Sequence, residues 1–305
     1  MNLDDQPRLI LFNDDIRYEE DEKVSMWVKD KDIISPSTNL VLLDKLEPGV
    51  YGVEFTRENG LFCKKIDFES DELYTFKDSI TQSLLKEIST FWDKSEVYKS
   101  NNLLHKRGIL LEGYPGTGKS SLISILSKEI ISRGGVVFIV NGKRNFEEYV
   151  DFITTGFRKI QPDTPIITII EDIDDYADSQ VEPAVLDFLD GKMNIDHHVV
   201  IATTNNTEDI PDTFLRPSRI DLKIEIPLPC EETRREYFGY KNVPAEEIEK
   251  LVELTKDFSL ADLKELYICI YLLDYSIDDA INKINSPRKK KNYINAHRKE
   301  SSIGI

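Results

Sequence analysis

The chain has 305 residues, 40% hydrophobic and 31% charged, which is the balance of an ordinary globular protein. Its formal net charge of −17 argues against broad nonspecific binding to nucleic acid. No apolar run reaches the ~18 residues of a membrane span and the N-terminus shows no signal pattern, so a cytoplasmic location is expected, or an intracellular one for a virus- or phage-encoded chain.

Residues 1–75 differ from the rest in composition, with 18 acidic against 9 basic residues. Short β-type stretches alternate here with turn residues, and Asn59-Gly60 between two of them is a hairpin signal. We therefore predict a small, mostly β N-terminal domain. The sequence leaves two roles open for it, a docking or substrate-contacting module and a structural brace.

A helical pattern covers residues 76–99, and apolar strands then alternate with helices up to residue 229. This alternation predicts an α/β fold, a parallel sheet covered by helices on both faces. The predicted strands are 109–111, 136–140, 166–170, 199–203 and 222–226. The four histidines lack any ligand spacing and are interpreted as surface or loop residues, and the three isolated cysteines fit a reducing compartment.

Directly after the first of these strands, Gly113 to Ser120 fits G-x-x-x-x-G-K-[ST], the phosphate-binding P-loop, and a helical pattern follows. The glycines let backbone N–H groups surround a phosphate at the positive end of that helix. Lys119 is expected to reach the β- and γ-phosphates, and Ser120 to hold Mg²⁺. The residues predicted to bind the nucleotide are Gly113, Pro115, Gly116, Thr117, Gly118, Lys119, Ser120 and Ser121.

Two carboxylates, Glu171 and Asp172, follow the third strand, at the sheet edge where the P-loop is expected. This is the Walker-B arrangement of a nucleotide hydrolase, in which one acid serves the metal and the other polarises the attacking water. We assign Glu171 to Mg²⁺ and Asp172 to the water, and an exchange of these roles stays open. Asn205 ends the next strand, where its amide could orient the water.

From residue 230 to 286 the chain shows helical patterns alone, with Ser259 and Ser276 as predicted N-caps. We predict a small helical bundle. Residues 287–305 form a basic stretch, with six Lys or Arg against one acid between Arg288 and Glu300. We expect a flexible tail that either improves solubility or contacts an acidic partner or nucleic acid.

Together these motifs resemble the AAA ATPases over roughly residues 76–285. The motifs that carry the resemblance are the P-loop at 113–120, Ile-Ile-Glu-Asp-Ile-Asp at 169–174, Ala-Thr-Thr-Asn at 202–205 and Leu-Arg-Pro-Ser-Arg-Ile-Asp at 215–221. The order Glu171-Asp172, Lys106-Arg-Gly-Ile-Leu-Leu111 and Phe188-Leu-Asp-Gly191 further resemble the Bcs-type branch of that family.

The resemblance implies a domain layout and further roles. The layout has the AAA ATPase core at 76–229 and the helical lid at 230–286. Asn205 would be the sensor-1 residue, and Arg216 and Arg219 would be arginine fingers that act on the nucleotide of a neighbouring subunit. Such fingers imply a homo-oligomeric ring, most often a hexamer, with a heptamer as the alternative in the Bcs-type branch.

The resemblance is not complete. The Walker-B acids stand in the order Glu-Asp rather than the usual Asp-Glu, and the aromatic–apolar–Gly pore loop of unfoldase rings has Tyr149-Val150 as its nearest match. The leading hypothesis is an ATPase ring, with ATP and Mg²⁺, that remodels or translocates a protein partner bound through residues 1–75. The alternatives are a nucleic-acid-associated loader, replication or defence component and a nucleotide-switched assembly scaffold.

Overall fold

The computed structural model describes residues 26–30, 33–37, 43–56, 60–66, 79–140, 146–177, 179–206, 208 and 210–286. The acidic start of the chain and the predicted basic tail at 287–305 lie outside these ranges. So do residues 141–145, which precede Tyr149 in the stretch compared with a pore loop.

Seven of the nine strands in the described residues form one sheet, in the order β4–β3–β6–β7–β8–β5–β9. All neighbours in this sheet are parallel except β3 and β4, which pair antiparallel, and β1 and β2 form a separate antiparallel pair. The strands are β1 (Met26–Asp30), β2 (Ile33–Ser37), β3 (Gly49–Thr56), β4 (Gly60–Ile66), β5 (Lys106–Glu112), β6 (Val136–Val140), β7 (Ile166–Ile170), β8 (His198–Thr204) and β9 (Leu222–Glu225).

Helices follow most of the parallel strands, which confirms the predicted α/β fold. The helices within the described residues are α1 (Ser79–Trp92), α2 (Ser95–Ser100), α3 (Lys119–Ser132), α4 (Phe146–Asp151), α5 (Arg158–Ile160), α6 (Glu182–Leu189), α7 (Glu231–Tyr240), α8 (Ala245–Leu254), α9 (Leu260–Tyr267) and α10 (277–286). A π-helix, Phe152–Phe157, joins α4 to α5, and a second one, Ile268–Leu272, continues α9.

Helices cover both faces of the sheet. Alternate residues of β5 show this, because Leu110 belongs to the apolar cluster under α4 and α6, whereas Ile109 and Leu111 belong to the cluster under α1 and α3. All three side chains have 0% exposure. Each such burial contributes about 2 kcal/mol of hydrophobic stabilisation, so β5 is a firm support for the loop that follows it.

The N-terminal strands show where the structure differs from the predicted boundary near residue 75. β3 pairs in parallel with β6, and the β3–β4 hairpin therefore extends the core sheet instead of forming part of a separate domain. Val50 and Tyr51, on opposite faces of β3, are 3% and 6% exposed because each packs into one of the two core clusters. Of the described strands before residue 75, only β1 and β2 lie outside the core sheet.

The helices from residue 231 onward have an apolar cluster of their own, as the predicted bundle requires. Ser259 caps α9 in a capping box, since its hydroxyl accepts from the Asp262 amide at 3.2 Å while the Asp262 carboxylate accepts from the Ser259 amide at 2.8 Å. Ser276 caps the next helix by accepting from the Asp279 amide at 3.2 Å. Both predicted N-caps are confirmed.

Three side chains lie deeper than expected. His105 and His198 are interpreted from the sequence as surface or loop residues. His105 does lie in the loop before β5 and His198 begins β8, but each is only 1% exposed because it packs among aromatic rings. Tyr149, the nearest match to a pore-loop aromatic, is also 1% exposed and its hydroxyl bonds Thr168. Tyr149 therefore belongs to the core and cannot project into a pore. Across the described ranges, no helix is both long and apolar enough to cross a bilayer.

Candidate functional site

The predicted site residues meet at the edge formed by the carboxyl ends of the parallel strands. β5 leads into the loop 113–118, β7 leads into Glu171 and Asp172, and β8 leads into Asn205. Because β5 and β7 both pair with β8, these three strand ends are neighbours. Ligands of open α/β sheets bind at this edge.

The loop after β5 has the backbone of a phosphate-binding turn. Gly113, Gly116 and Gly118 all have positive φ, and α3 begins directly after Gly118. The Thr117 hydroxyl is buried and donates to the Tyr114 carbonyl at 2.9 Å, which holds the loop closed. Pro115, Ser120 and Ser121 are exposed around it. The N-terminus of α3 therefore presents free backbone amides to an anion.

Lys119 connects the loop to the neighbouring strands. Its ammonium donates to the Gly113 carbonyl at 2.5 Å, to the Tyr114 carbonyl at 3.1 Å and to the Asn205 side-chain oxygen at 2.8 Å. Partial burial lowers the pKa of Lys119 below its ordinary value of 10.5, and the Asp172 carboxylate opposes that shift. The lysine is thus positioned as a cation between the loop and the acids.

A second contact completes a chain of three side chains. The Asn205 amide nitrogen donates to Asp172 Oδ1 at 3.1 Å, while its oxygen accepts from Lys119. Asp172 has φ of 46°, an unfavourable backbone conformation for a non-glycine residue. Its amide is fixed there by donation to the buried Thr203 hydroxyl at 3.1 Å. In this conformation the Asp172 carboxylate reaches Asn205, and backbone strain of this kind is typical of functional sites.

The remaining acid, Glu171, is exposed beside Asp172, and Ser120 is exposed in the first turn of α3. No group of three His, Cys, Asp or Glu side chains in the described part of the chain has metal-binding geometry. A hydroxyl and a carboxylate oxygen nevertheless fit Mg²⁺, which keeps several waters and takes one or two protein ligands together with substrate phosphates. The donor set suits Mg²⁺ bound together with a nucleotide.

The helical bundle touches the phosphate loop directly. The Ala261 amide, at the start of α9, donates to the Gly116 carbonyl at 3.1 Å. A Cβ placed on Gly116 would lie 2.8 Å from both Ala261 Cβ and Ser259 Oγ. The bundle therefore contacts the phosphate loop, and Gly116 leaves the space that this contact needs.

The two arginines of the loop 216–221 are held differently. Arg219 pairs with Asp190, with Nε to Oδ1 at 2.7 Å and Nη2 to Oδ2 at 2.6 Å. Arg216 is exposed, and its side chain has no hydrogen bond or ion pair to any described residue. Neither guanidinium group contacts the phosphate loop of its own chain.

Several residues that shape the site were not predicted. Thr203 fixes the Asp172 backbone, Asp190 binds Arg219, and Ala261 contacts the phosphate loop. Asp190 is recognisable in the sequence only as part of the Asp-Gly pair that ends a helix. Thr203 and Ala261 carry no signal of their own, because their roles depend on contacts between distant parts of the chain.

Comparison with known proteins agrees with this geometry. Residues 109–228 match the family model described as ATPase family associated with various cellular activities (AAA). That range begins in β5 and ends just after β9, so it contains the phosphate loop, both acids, Asn205 and both arginines.

Curated relatives cover more of the chain. The proteasome-activating nucleotidase of Aeropyrum pernix is 32% identical over 251 residues, which are 75% of this chain and 58% of that protein. The cell division cycle protein 48 homolog of Archaeoglobus fulgidus is 32% identical over 204 residues, 60% of this chain and 27% of that protein. The chain thus spans less than two thirds of the length of these relatives.

Proposed function

We propose that this chain, whose residues 109–228 match the model of the AAA family of ATPases, binds ATP with Mg²⁺ and hydrolyses it to ADP and phosphate. The observation that carries the proposal is the chain of side chains Lys119–Asn205–Asp172, with contacts of 2.8 and 3.1 Å. It joins a phosphate-binding cation, a polar amide and an exposed carboxylate at one sheet edge. Those are the groups that phosphoryl transfer to water requires.

In this mechanism the loop 113–118 and the first turn of α3 bind the phosphates through backbone amides, and Lys119 adds positive charge at the β- and γ-phosphates. Ser120 and Glu171 would hold Mg²⁺, which neutralises phosphate charge when bound. Asp172 accepts the proton of the attacking water, and Asn205 orients that water beside it. The exposed carboxylate of Asp172 and its contact with Asn205 support this assignment.

We further propose that the active form is a ring of identical subunits, with a hexamer as the leading number. The resemblance implies that Arg216 and Arg219 serve the nucleotide of the adjacent subunit. The exposure of Arg216, away from the phosphate loop of its own chain, supports a role across an interface. The Bcs-type branch, with its heptamer alternative, stays a prediction, and the relatives named above do not include one of that branch.

The proposed work of the ring is to remodel or translocate a protein partner. One relative is named a proteasome-activating nucleotidase, which attributes to that protein an action on another protein assembly. We propose that residues 1–75 contact the partner. Since Tyr149 lies in the core, threading of an unfolded chain past that aromatic residue is not part of the proposal.

The decisive variant is Asp172→Asn, which keeps the shape of the side chain and removes its basicity. We expect ATP binding to be retained and kcat to fall by about 10²–10⁴-fold, the usual contribution of a general base. Asp163→Asn is the matched control, because Asp163 is exposed at the opposite end of β7. Steady-state hydrolysis near wild type in Asp172→Asn, measured by phosphate release, would remove Asp172 from this role.

The kind of partner needs a separate measurement. The ATP-locked Asp172→Asn protein serves as a trap for proteins captured with ATP and released with ADP. ATPase rates with and without single-stranded DNA or RNA at low salt test the nucleic-acid alternative. Strong stimulation by nucleic acid, with no nucleotide-dependent protein capture, would contradict the proposed action on proteins.

A further inference from the structure

The loop that carries the two arginines is fixed at Arg219. Besides its two-point contact with Asp190, the Arg219 guanidinium donates through Nη1 to the Thr213 carbonyl at 2.5 Å. Three of its donors are therefore used within the same chain, on helix α6's C-terminal cap residue and on the segment that precedes the loop. A planar guanidinium matches a carboxylate in this fork geometry and a lysine does not.

Burial makes this arrangement difficult to undo. The side chains of Arg219 and Asp190 are only 11% and 22% exposed. The hydrogen bonds from Arg219 hold the pKa of Asp190 below its ordinary value, so the carboxylate is charged across the neutral range. For Arg219 to reach a nucleotide on another subunit, it would have to leave three acceptor atoms, and two of these belong to its partly buried counter-charge, Asp190.

The turn that begins at Arg216 ends at Arg219 and Ile220. The Arg216 carbonyl accepts from the Arg219 amide at 3.1 Å and from the Ile220 amide at 3.2 Å, which closes a tight turn. Ser218 inside that turn has φ of 77°, and its carbonyl accepts from the Lys106 ammonium at 3.0 Å. The backbone of Arg216 is thus fixed by its neighbours, while its side chain points out to solvent.

A second anchor ties the end of the loop to β5. The Asp221 amide donates to the Gly108 carbonyl at 2.8 Å, and the Gly108 amide donates to Asp221 Oδ2 at 2.8 Å. β5 is the strand that ends at the phosphate loop. The arginine loop is therefore held between helix α6 and β5, the strand that leads into the phosphate loop.

We propose that the two arginines divide their roles: Arg216 contacts the nucleotide of the neighbouring subunit, and Arg219 with Asp190 is a positioning pair that fixes the Arg216 loop. This inference rests on the proposed ATPase function and adds Asp190 to the residues on which hydrolysis depends. A displacement of about 1 Å in a group that stabilises the transition state costs roughly 10²-fold in rate. Loss of the pair should therefore reduce kcat without removing a group that touches ATP.

A double-mutant cycle tests the division of roles. Asp190→Asn and Arg219→Gln are each expected to lower kcat by about 10–100-fold, with little change in KM for ATP. The double variant should be no worse than the poorer single variant, because both changes break one interaction. Arg216→Ala should lose about 10³-fold or more, as removal of an arginine finger does. Asp187→Asn is the control, since Asp187 lies on α6 close to Asp190 but forms an exposed ion pair with Lys192.

The outcomes separate the possibilities. Wild-type kcat in Asp190→Asn, together with a loss in Arg219→Gln as large as that of Arg216→Ala, would show that Arg219 acts on the nucleotide itself and would overturn the inference. If Arg219→Gln does not fold, Asp190→Asn decides alone, with a reduced kcat at unchanged melting temperature in support and an unchanged kcat against. A wild-type protein that hydrolyses no ATP would refute the proposed function and this inference together.

Discussion

Gly116 offers a direct measure of how closely the helical bundle packs against the phosphate loop. It has φ of 80°, and a Cβ there would lie 2.8 Å from Ala261 Cβ and from Ser259 Oγ. Gly116→Ala therefore makes two changes at once. It places a non-glycine residue in the left-handed region, and it puts a methyl group where the first turn of helix α9 lies.

The two effects can be given magnitudes. A left-handed conformation costs a non-glycine residue about 1–2 kcal/mol. The 2.8 Å contacts are far inside the ordinary carbon–carbon separation of about 3.5–4.0 Å, and overpacking of this kind costs about 1–3 kcal/mol. The sum is about 2–5 kcal/mol. If α9 moves away instead, the 3.1 Å hydrogen bond from the Ala261 amide to the Gly116 carbonyl is lost, at about 1 kcal/mol.

Gly134→Ala isolates the backbone effect. Gly134 has φ of 82°, almost the same as Gly116, and nothing lies within 4 Å of the position of its Cβ. In urea unfolding followed by circular dichroism, we expect Gly116→Ala to lose about 1–3 kcal/mol more free energy of unfolding than Gly134→Ala. Equal losses in the two variants would refute the contact between helix α9 and the phosphate loop. Only Gly116→Ala should also change ATP affinity, because only that variant displaces α9.

Three further outcomes are expected. Tyr149→Phe should lower the free energy of unfolding by about 1 kcal/mol, since it removes the buried hydroxyl that bonds Thr168; an unchanged urea midpoint would contradict the buried contact. Burial holds the pKa of His198 well below 6.5, so below about pH 6.5 the unfolded state binds a proton that the folded state does not bind. The free energy of unfolding should therefore fall as the pH drops below about 6.5. The slope of unfolding free energy against pH should be smaller in His198→Gln, and an equal slope would contradict this. Gly108→Ala should reduce ATPase activity because its Cβ would lie 1.8 Å from the Arg219 carbonyl oxygen, and a fully active variant would show that the loop is not fixed there.

The sequence was sufficient to predict which residues lie at the carboxyl ends of the parallel strands. The P-loop is a local pattern, and the position of Glu171, Asp172 and Asn205 follows from one rule, that the carboxyl ends of parallel strands share an edge. In the structure Asn205 lies between Lys119 of the loop and Asp172 and is hydrogen-bonded to both. The chemical roles of these residues stay predictions until turnover is measured.

Contacts between distant side chains could not be predicted. Arg219 and Asp190 are 29 residues apart and no local pattern pairs them. His105 and His198 were interpreted as surface or loop residues because they lack any ligand spacing, yet ring stacking on Phe91 buries His105 and a contact with Thr168 accompanies the burial of His198. The acidic composition before residue 75 likewise suggested a separate domain, whereas β3 contributes apolar residues to both core clusters.

The β3–β4 hairpin has a mechanical consequence. Five residue pairs register β3 against β6, from Gly49↔Val136 to Val53↔Val140, and β6 in turn pairs with β7, which ends at the Walker-B acids. A force applied to the chain at Gly49 would act on the row of hydrogen bonds between β3 and β6, and not on a flexible linker. A displacement of β3 would therefore be transmitted through β6 to the end of β7, and a displacement at the end of β7 would be transmitted back to β3.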